Sequence, residues 1–134
     1  MRFCLLHHTG WSDQGDHYDV LLQNAVGSDD NDRVLKTYST LQDRFPDGLN
    51  EGSPVLLCEN HRRLYLTYQG EVPGNRGRVR CADSGEMEWL PQSKKYQPEL
   101  HFLLFGKLLN GHYVIRNFAN AEQCVFLKCA QFKN

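Results

Sequence analysis

Apolar and polar positions along this chain alternate in short stretches separated by turn-forming residues. Residues 2–7 form an apolar run, Arg2-Phe3-Cys4-Leu5-Leu6-His7, that predicts a buried strand. Residues 17–23 predict a second, with Val20 and Leu22 alternating against Asp19 and Leu21. Residues 24–32 carry Gly27-Ser28-Asp29-Asp30-Asn31, a polar hairpin tip, and residues 33–40 resume a strand. Residues 44–54 read as loop because of Pro46, Gly48, Gly52 and Pro54. Residues 63–69 predict a strand with Leu64, Leu66 and Tyr68 on one face. Pro73-Gly74-Asn75 and Asp83-Ser84-Gly85 predict turns on either side of a strand carrying Arg76, Arg78 and Arg80 on one face. Residues 90–98 read as loop. Residues 99–107, 112–118 and 124–131 predict three more strands, and Asn110-Gly111 is a hairpin-turn signal. No stretch has sustained helical periodicity with caps; a short helix could fit only near Glu51 or Asn120. The expected fold is all-β and mainly antiparallel, a compact closed or partly open barrel with few short helices.

The 134 residues suit one domain, residues 1–134, and 40% hydrophobic content is enough for a core. A net charge of −1 gives no global basic footprint, so a nucleic-acid partner would have to be met by a local patch of arginine and lysine. The five cysteines form no C-x-x-C pair, and an odd count argues against a disulfide framework. Cys4 and Cys58 read as small buried apolar residues of a reduced protein. No signal peptide and no membrane-spanning run is recognised, so the expected location is cytoplasmic, without a membrane partner.

Chemistry concentrates near the start. His8 ends the first strand, and His17 and Asp19 share a face of the second, because strand residues i and i+2 project together. A hairpin can bring His8 beside them. Two imidazoles and a carboxylate suit a divalent transition metal with open positions. The same His-x-Asp pattern with a distant histidine also fits a non-haem iron oxygenase, with His112 as third ligand and Arg116 after it. Glu59-Asn60-His61-Arg62-Arg63 could face an anionic substrate. The three arginines 76, 78 and 80 could track phosphates or simply be the wet face of a sheet. Trp11 and Trp89 could stack on a base or pack as core, and His101 reads as outward-facing and idle.

In collinear order these segments resemble the 3′-phosphoesterase domain of bacterial DNA ligase D and its stand-alone relatives. That family has a histidine, a spacer, then His-Tyr-Asp-x-Arg-Leu-Glu; here stand His8, a longer spacer and His17-Tyr18-Asp19-Val20-Leu21-Leu22-Gln23. Val34-Leu35-Lys36-Thr37-Tyr38, Glu59-Asn60-His61, Tyr65, Tyr68 and Gly70 are similar to further family segments. So are residues 71–77 and Glu99-Leu100-His101-Phe102 through Gly106-Lys107-Leu108. The resemblance implies a β-barrel with a polar crescent and a manganese-dependent hydrolase for DNA end-joining repair. Such an enzyme removes a 3′-terminal ribonucleoside and then the 3′-phosphate. His8, His17 and Asp19 would ligate Mn²⁺ or another divalent transition metal. His61 would contact the scissile phosphate and assist proton transfer, and Tyr65 would support the site. Lys36, Arg62 and Arg76 would bind the anion. Expected partners are nucleic-acid 3′ ends, of DNA or an RNA/DNA primer, and end-joining ligase or polymerase proteins, met by a monomer. Two family arginines are absent: Leu21 stands at one position and Ser53 near the other. Arginine pairs with phosphate through charge-assisted, bidentate bonds that neither replacement can make. A non-catalytic barrel that binds phosphate or nucleic-acid ends is therefore the alternative from a different class.

Overall fold

The structure, a computed structural model, describes residues 1–91, 99–117 and 122–129. Its strands are β1 Arg2–Thr9, β2 His17–Gln23, β3 Leu35–Thr40, β4 Ser53–Leu57, β5 Gly70–Glu71, β6 Arg78–Trp89, β7 Leu100–Phe105, β8 Asn110–Asn117 and β9 Gln123–Lys128. All neighbours are antiparallel, in the order β1-β2-β3-β4-β9-β8-β7-β6-β5. A further β1–β6 pairing closes eight of them into a barrel and leaves β5 outside the ring. The first part of β6 pairs with β1 and β5, and its last residues pair with β7.

Two apolar clusters use alternate positions of the same strands. Phe3, Leu5, Val20, Leu22, Tyr38, Val55, Phe102, Leu104, Tyr113, Ile115 and Phe126 come from the strands of the ring and fill its interior. Cys4, Leu6, Leu21 and Leu35 face outward with Val34 and Val79, and are roofed by Tyr65 and Val72 from the segment between β4 and β6. This outer cluster gives the barrel one thick wall, and the polar site stands at its edge.

Several local expectations are corrected. Residues 63–69 do not form a strand: Arg63–Leu66 is one turn of 3₁₀ helix. A turn directs the neighbouring Tyr65, Leu66 and Tyr68 at the outer cluster, where a strand would offer only every second residue. Asp83-Ser84-Gly85 is not a turn but lies within β6. The buried Asp83 carboxylate accepts backbone N–H groups from Lys107, Leu108 and Leu109 at 3.0, 3.0 and 2.7 Å. A Cβ on Gly85 would stand 2.3 Å from the Phe105 carbonyl oxygen, so this crossing needs glycine. Asn110-Gly111 likewise opens β8, with Asn110 paired to Phe105, and residues 106–109 make the connection. The loop expected over 44–54 ends as β4 begins at Ser53, and the region of Glu51 is a turn rather than a helix. The helix considered near Asn120 and most of the loop 90–98 lie outside the described residues. Among the described residues no helix is long and apolar enough to cross a membrane.

Candidate metal centre

The register of β1 against β2 sets His8 opposite His17, and Asp19 follows two residues later on the same outer face. All three side chains are buried, and one ligand atom from each lies within 4.8 Å of the others. Their ring protons are fixed by backbone carbonyls, which can only accept. His17 donates through Nδ1 to Gly15 at 2.9 Å, and His8 donates through Nε2 to Arg76 at 2.6 Å. Their other nitrogens, His17 Nε2 and His8 Nδ1, stand 3.2 and 3.7 Å from the two Asp19 oxygens. In neutral rings these nitrogens present lone pairs to a carboxylate. The arrangement is relieved only by positive charge, as a second ring proton or as a bound cation. Ser39, opposite Asp19 on β3, donates its hydroxyl to Asp19 Oδ1 and orients the carboxylate.

The ionisation of the cluster follows from these contacts. Burial alone would raise the Asp19 pKa, but the neighbouring His17 and His8 rings and the Ser39 hydroxyl overcome it and hold the carboxyl well below its usual range. Burial likewise works against a charged His17, and Asp19 overcomes it, leaving His17 with a raised pKa. The donor set suits a divalent cation. Donors adjacent on a small six-coordinate ion with bonds near 2.1 Å lie about 3 Å apart, and the two imidazole–carboxylate contacts, at 3.2 and 3.7 Å, stand near that spacing. Imidazoles whose second nitrogen is pinned by a carbonyl are the usual outer arrangement of metal-ligating histidine.

The three residues open onto a cavity of about 440 Å³. Trp11, Arg33, Cys58, His61, Arg62, Tyr65 and Arg76 also line it. His61 donates through Nδ1 to the Glu59 carbonyl at 3.1 Å, which leaves Nε2 as its free nitrogen. Its ring packs edge-on to Tyr65, with centroids 5.7 Å apart, and the Arg62 guanidinium lies 5.6 Å from the Tyr65 ring centroid. Arg76 is held by Nε donating to Pro73 O at 2.7 Å.

Other expected residues fall elsewhere. Lys36 is not at the cavity. It alternates with the outward-facing Leu35 and Thr37, shares the inward face with Tyr38 and lies 5.8 Å from that ring's centroid. Arg78 and Arg80 alternate with the cavity-lining Val79, so they face away, and Arg76 leaves their row at Gly77. His112 is not brought to Asp19, since β8 stands across the ring from β2 with three strands between them on either side. Cys58 is half-buried at the cavity, its sulfur 3.1 Å from Ser39 Oγ, rather than in a core. Leu21, in place of the family arginine, is fully buried in the outer cluster. Ser53 lines a separate hollow with Thr40 and Arg44. Two cavity residues had no signal of their own: Ser39 depends on the β2–β3 register and Arg33 on the path of the chain into β3. No protein-family model matches the chain, and none of the curated proteins matches it.

Proposed function

We propose that the chain is a metal-dependent phosphoesterase acting on the 3′ ends of nucleic acid, with the cavity beside β1 and β2 as its active site. The observation that carries this reading is the convergence of two carbonyl-pinned imidazoles on Asp19, with His61 and three arginines around the same opening. His8 Nδ1, His17 Nε2 and the Asp19 carboxylate would hold the ion. A bound divalent metal supplies Lewis acidity toward a phosphate oxygen and acidifies bound water.

The remaining roles belong to the chain itself. Arg33, Arg62 and Arg76 bring positive charge to a cavity whose buried carboxylate would otherwise repel a phosphate. His61, with Nδ1 engaged by Glu59, has one nitrogen left for proton exchange. In its charged form it donates to the departing 3′-oxygen as the bond from phosphorus to that oxygen breaks, and the attacking water supplies the new oxygen on phosphorus. Tyr65 fixes the plane of His61 through the edge-on contact. Trp11, stacked on His8 with ring centroids 5.5 Å apart and planes at 26°, closes the other side.

Phosphate release from a 3′-phosphorylated DNA primer, with and without Mn²⁺, tests the reading. His17→Ala and Asp19→Ala should each abolish release, and unchanged turnover in both would refute the site. A second reading, a non-catalytic binder of phosphate or nucleic-acid ends, is favoured by Leu21. Its side chain offers no donor and is fully buried in the outer cluster. Retained binding of 3′-phosphorylated DNA with no Mn²⁺-dependent turnover would select it.

A further inference from the structure

We propose a second cation site on the far side of the barrel, formed by His101, His112 and Cys129 and suited to a zinc-class divalent ion. It is independent of the phosphoesterase reading. Among the described residues only this group and the His8 cluster bring three such ligand atoms within 4.8 Å of one another.

Strand pairing builds the site. His112 faces outward from β8, and Cys129, just past the end of β9, donates its backbone N–H to the His112 carbonyl at 2.8 Å. Leu103 is the direct partner of His112, so His101, two residues earlier on β7, is its diagonal neighbour on the same face. His101 Nδ1 and His112 Nε2 lie 2.9 Å apart. In a tetrahedral zinc site, with bonds near 2.0–2.1 Å, two such nitrogens sit about 3.3 Å apart. A separation of a few tenths of an ångström therefore admits the ion.

The surroundings favour a metal over an idle histidine pair. His101 Nε2 donates to Glu99 Oε2 at 3.0 Å, which leaves Nδ1 directed inward as a ligand. The nearby Arg116 does not oppose the ion with an unbalanced charge, because its Nε donates to Glu99 Oε1 at 2.6 Å. Two imidazoles and a thiolate match a borderline-soft ion better than manganese or magnesium, which prefer oxygen. Binding releases the Cys129 thiol proton to solvent and moves the ring proton of His112 from Nε2 to Nδ1. The ion would join β7, β8 and the end of β9, with one position left for water.

The test is a Co²⁺ titration of the reduced, metal-stripped full chain, followed by absorption. A thiolate-to-cobalt charge-transfer band is expected, with the visible bands of a four-coordinate ion. The charge-transfer band should vanish in Cys129→Ser, weaken at least about tenfold in apparent affinity in His101→Gln, and persist in the His17→Ala/Asp19→Ala double variant. His101→Gln keeps the thiol and changes a partly exposed residue, so it reads the site even if Cys129→Ser folds poorly. Cys58→Ser should leave the band intact. No such band in the wild type, a band that survives in folded Cys129→Ser, or one lost in Cys58→Ser would overturn the proposal.

Discussion

His8 on β1 and Arg76, 68 residues later in the roof, are joined by a 2.6 Å bond from the imidazole Nε2 to the Arg76 carbonyl. The bond sets which nitrogen of His8 faces Asp19, so one of the three proposed ligands is oriented by a loop. That loop approaches β1 only because residue 77 is glycine. Its φ is +76°, and a Cβ there would stand 2.1 Å from the Thr9 carbonyl oxygen.

Gly77→Ala should therefore affect binding as well as stability. The left-handed backbone and the backbone clash together cost about 2–4 kcal/mol. Loss of the Arg76 carbonyl should weaken Mn²⁺ binding about 10- to 100-fold, the scale for removing an orienting partner. Denaturant unfolding and calorimetric titration read the two effects. Lower stability with unchanged Mn²⁺ affinity would show that His8 needs no such partner.

The metal-free protein should have a stability window set by Asp19 and His17. The lowered Asp19 pKa contributes stability present above its ordinary value of 3.8 and lost as pH falls through the folded value. The raised His17 pKa contributes stability present below its ordinary value of 6.5 and lost as pH rises through the folded value. Urea unfolding in EDTA should thus give a maximum between those limits. Asp19→Asn should flatten both flanks, because the contacts that shift each group disappear. Mn²⁺ needs unprotonated His17, so its affinity should fall about tenfold per pH unit once His17 is protonated. A Mn²⁺ affinity independent of pH from 5 to 8 would remove His17 from the ligand set.

Asp83→Ala should be among the most damaging single changes away from the cavity. Three backbone N–H groups of the β7–β8 connection end on this buried carboxylate. The Leu109 bond is buried and the other two are only partly so, and stranding them should cost about 1–3 kcal/mol, most of it from the one buried donor left unpaired. Thermal unfolding of Asp83→Ala beside Asp83→Asn checks this, with Asn retaining part of the loss through its carbonyl oxygen.

His61→Asn should lower turnover of a 3′-phosphorylated primer about 10²- to 10⁴-fold, the range for losing a positioned acid or base. Arg62→Ala should act mainly on KM, because its charge lies at the cavity wall. Steady-state kinetics at saturating Mn²⁺ separates the two. Equal changes in kcat for both variants would count against a proton-transfer role for His61.

The barrel and the His8-His17-Asp19 grouping were legible because both rest on alternation and one hairpin. Strand parity places His17 with Asp19 wherever β2 pairs, and the short connection from β1 supplies His8. Where alternation met a competing demand, the pattern misled. Residues 63–69 alternate as a strand would, yet the outer cluster draws in consecutive side chains. Asp83-Ser84-Gly85 carries turn chemistry spent on a tertiary contact, which no local window can reveal. Lys36 was placed by resemblance, and parity puts it on the wrong face. Ser39 and Arg33 needed the register between β2 and β3 and the course of the loop before it, neither of which is written in local composition.

The wall that carries the polar residues and the filling of the barrel interleave one by one along β2. Moving that strand past β1 by a single position would turn His17 and Asp19 into the greasy interior and throw Val20 and Leu22 onto the outside. Such a misaligned form would lose its packing and its chemistry together. Selection for a well-packed barrel therefore also guards the grouping of His8, His17 and Asp19, without any separate check on it.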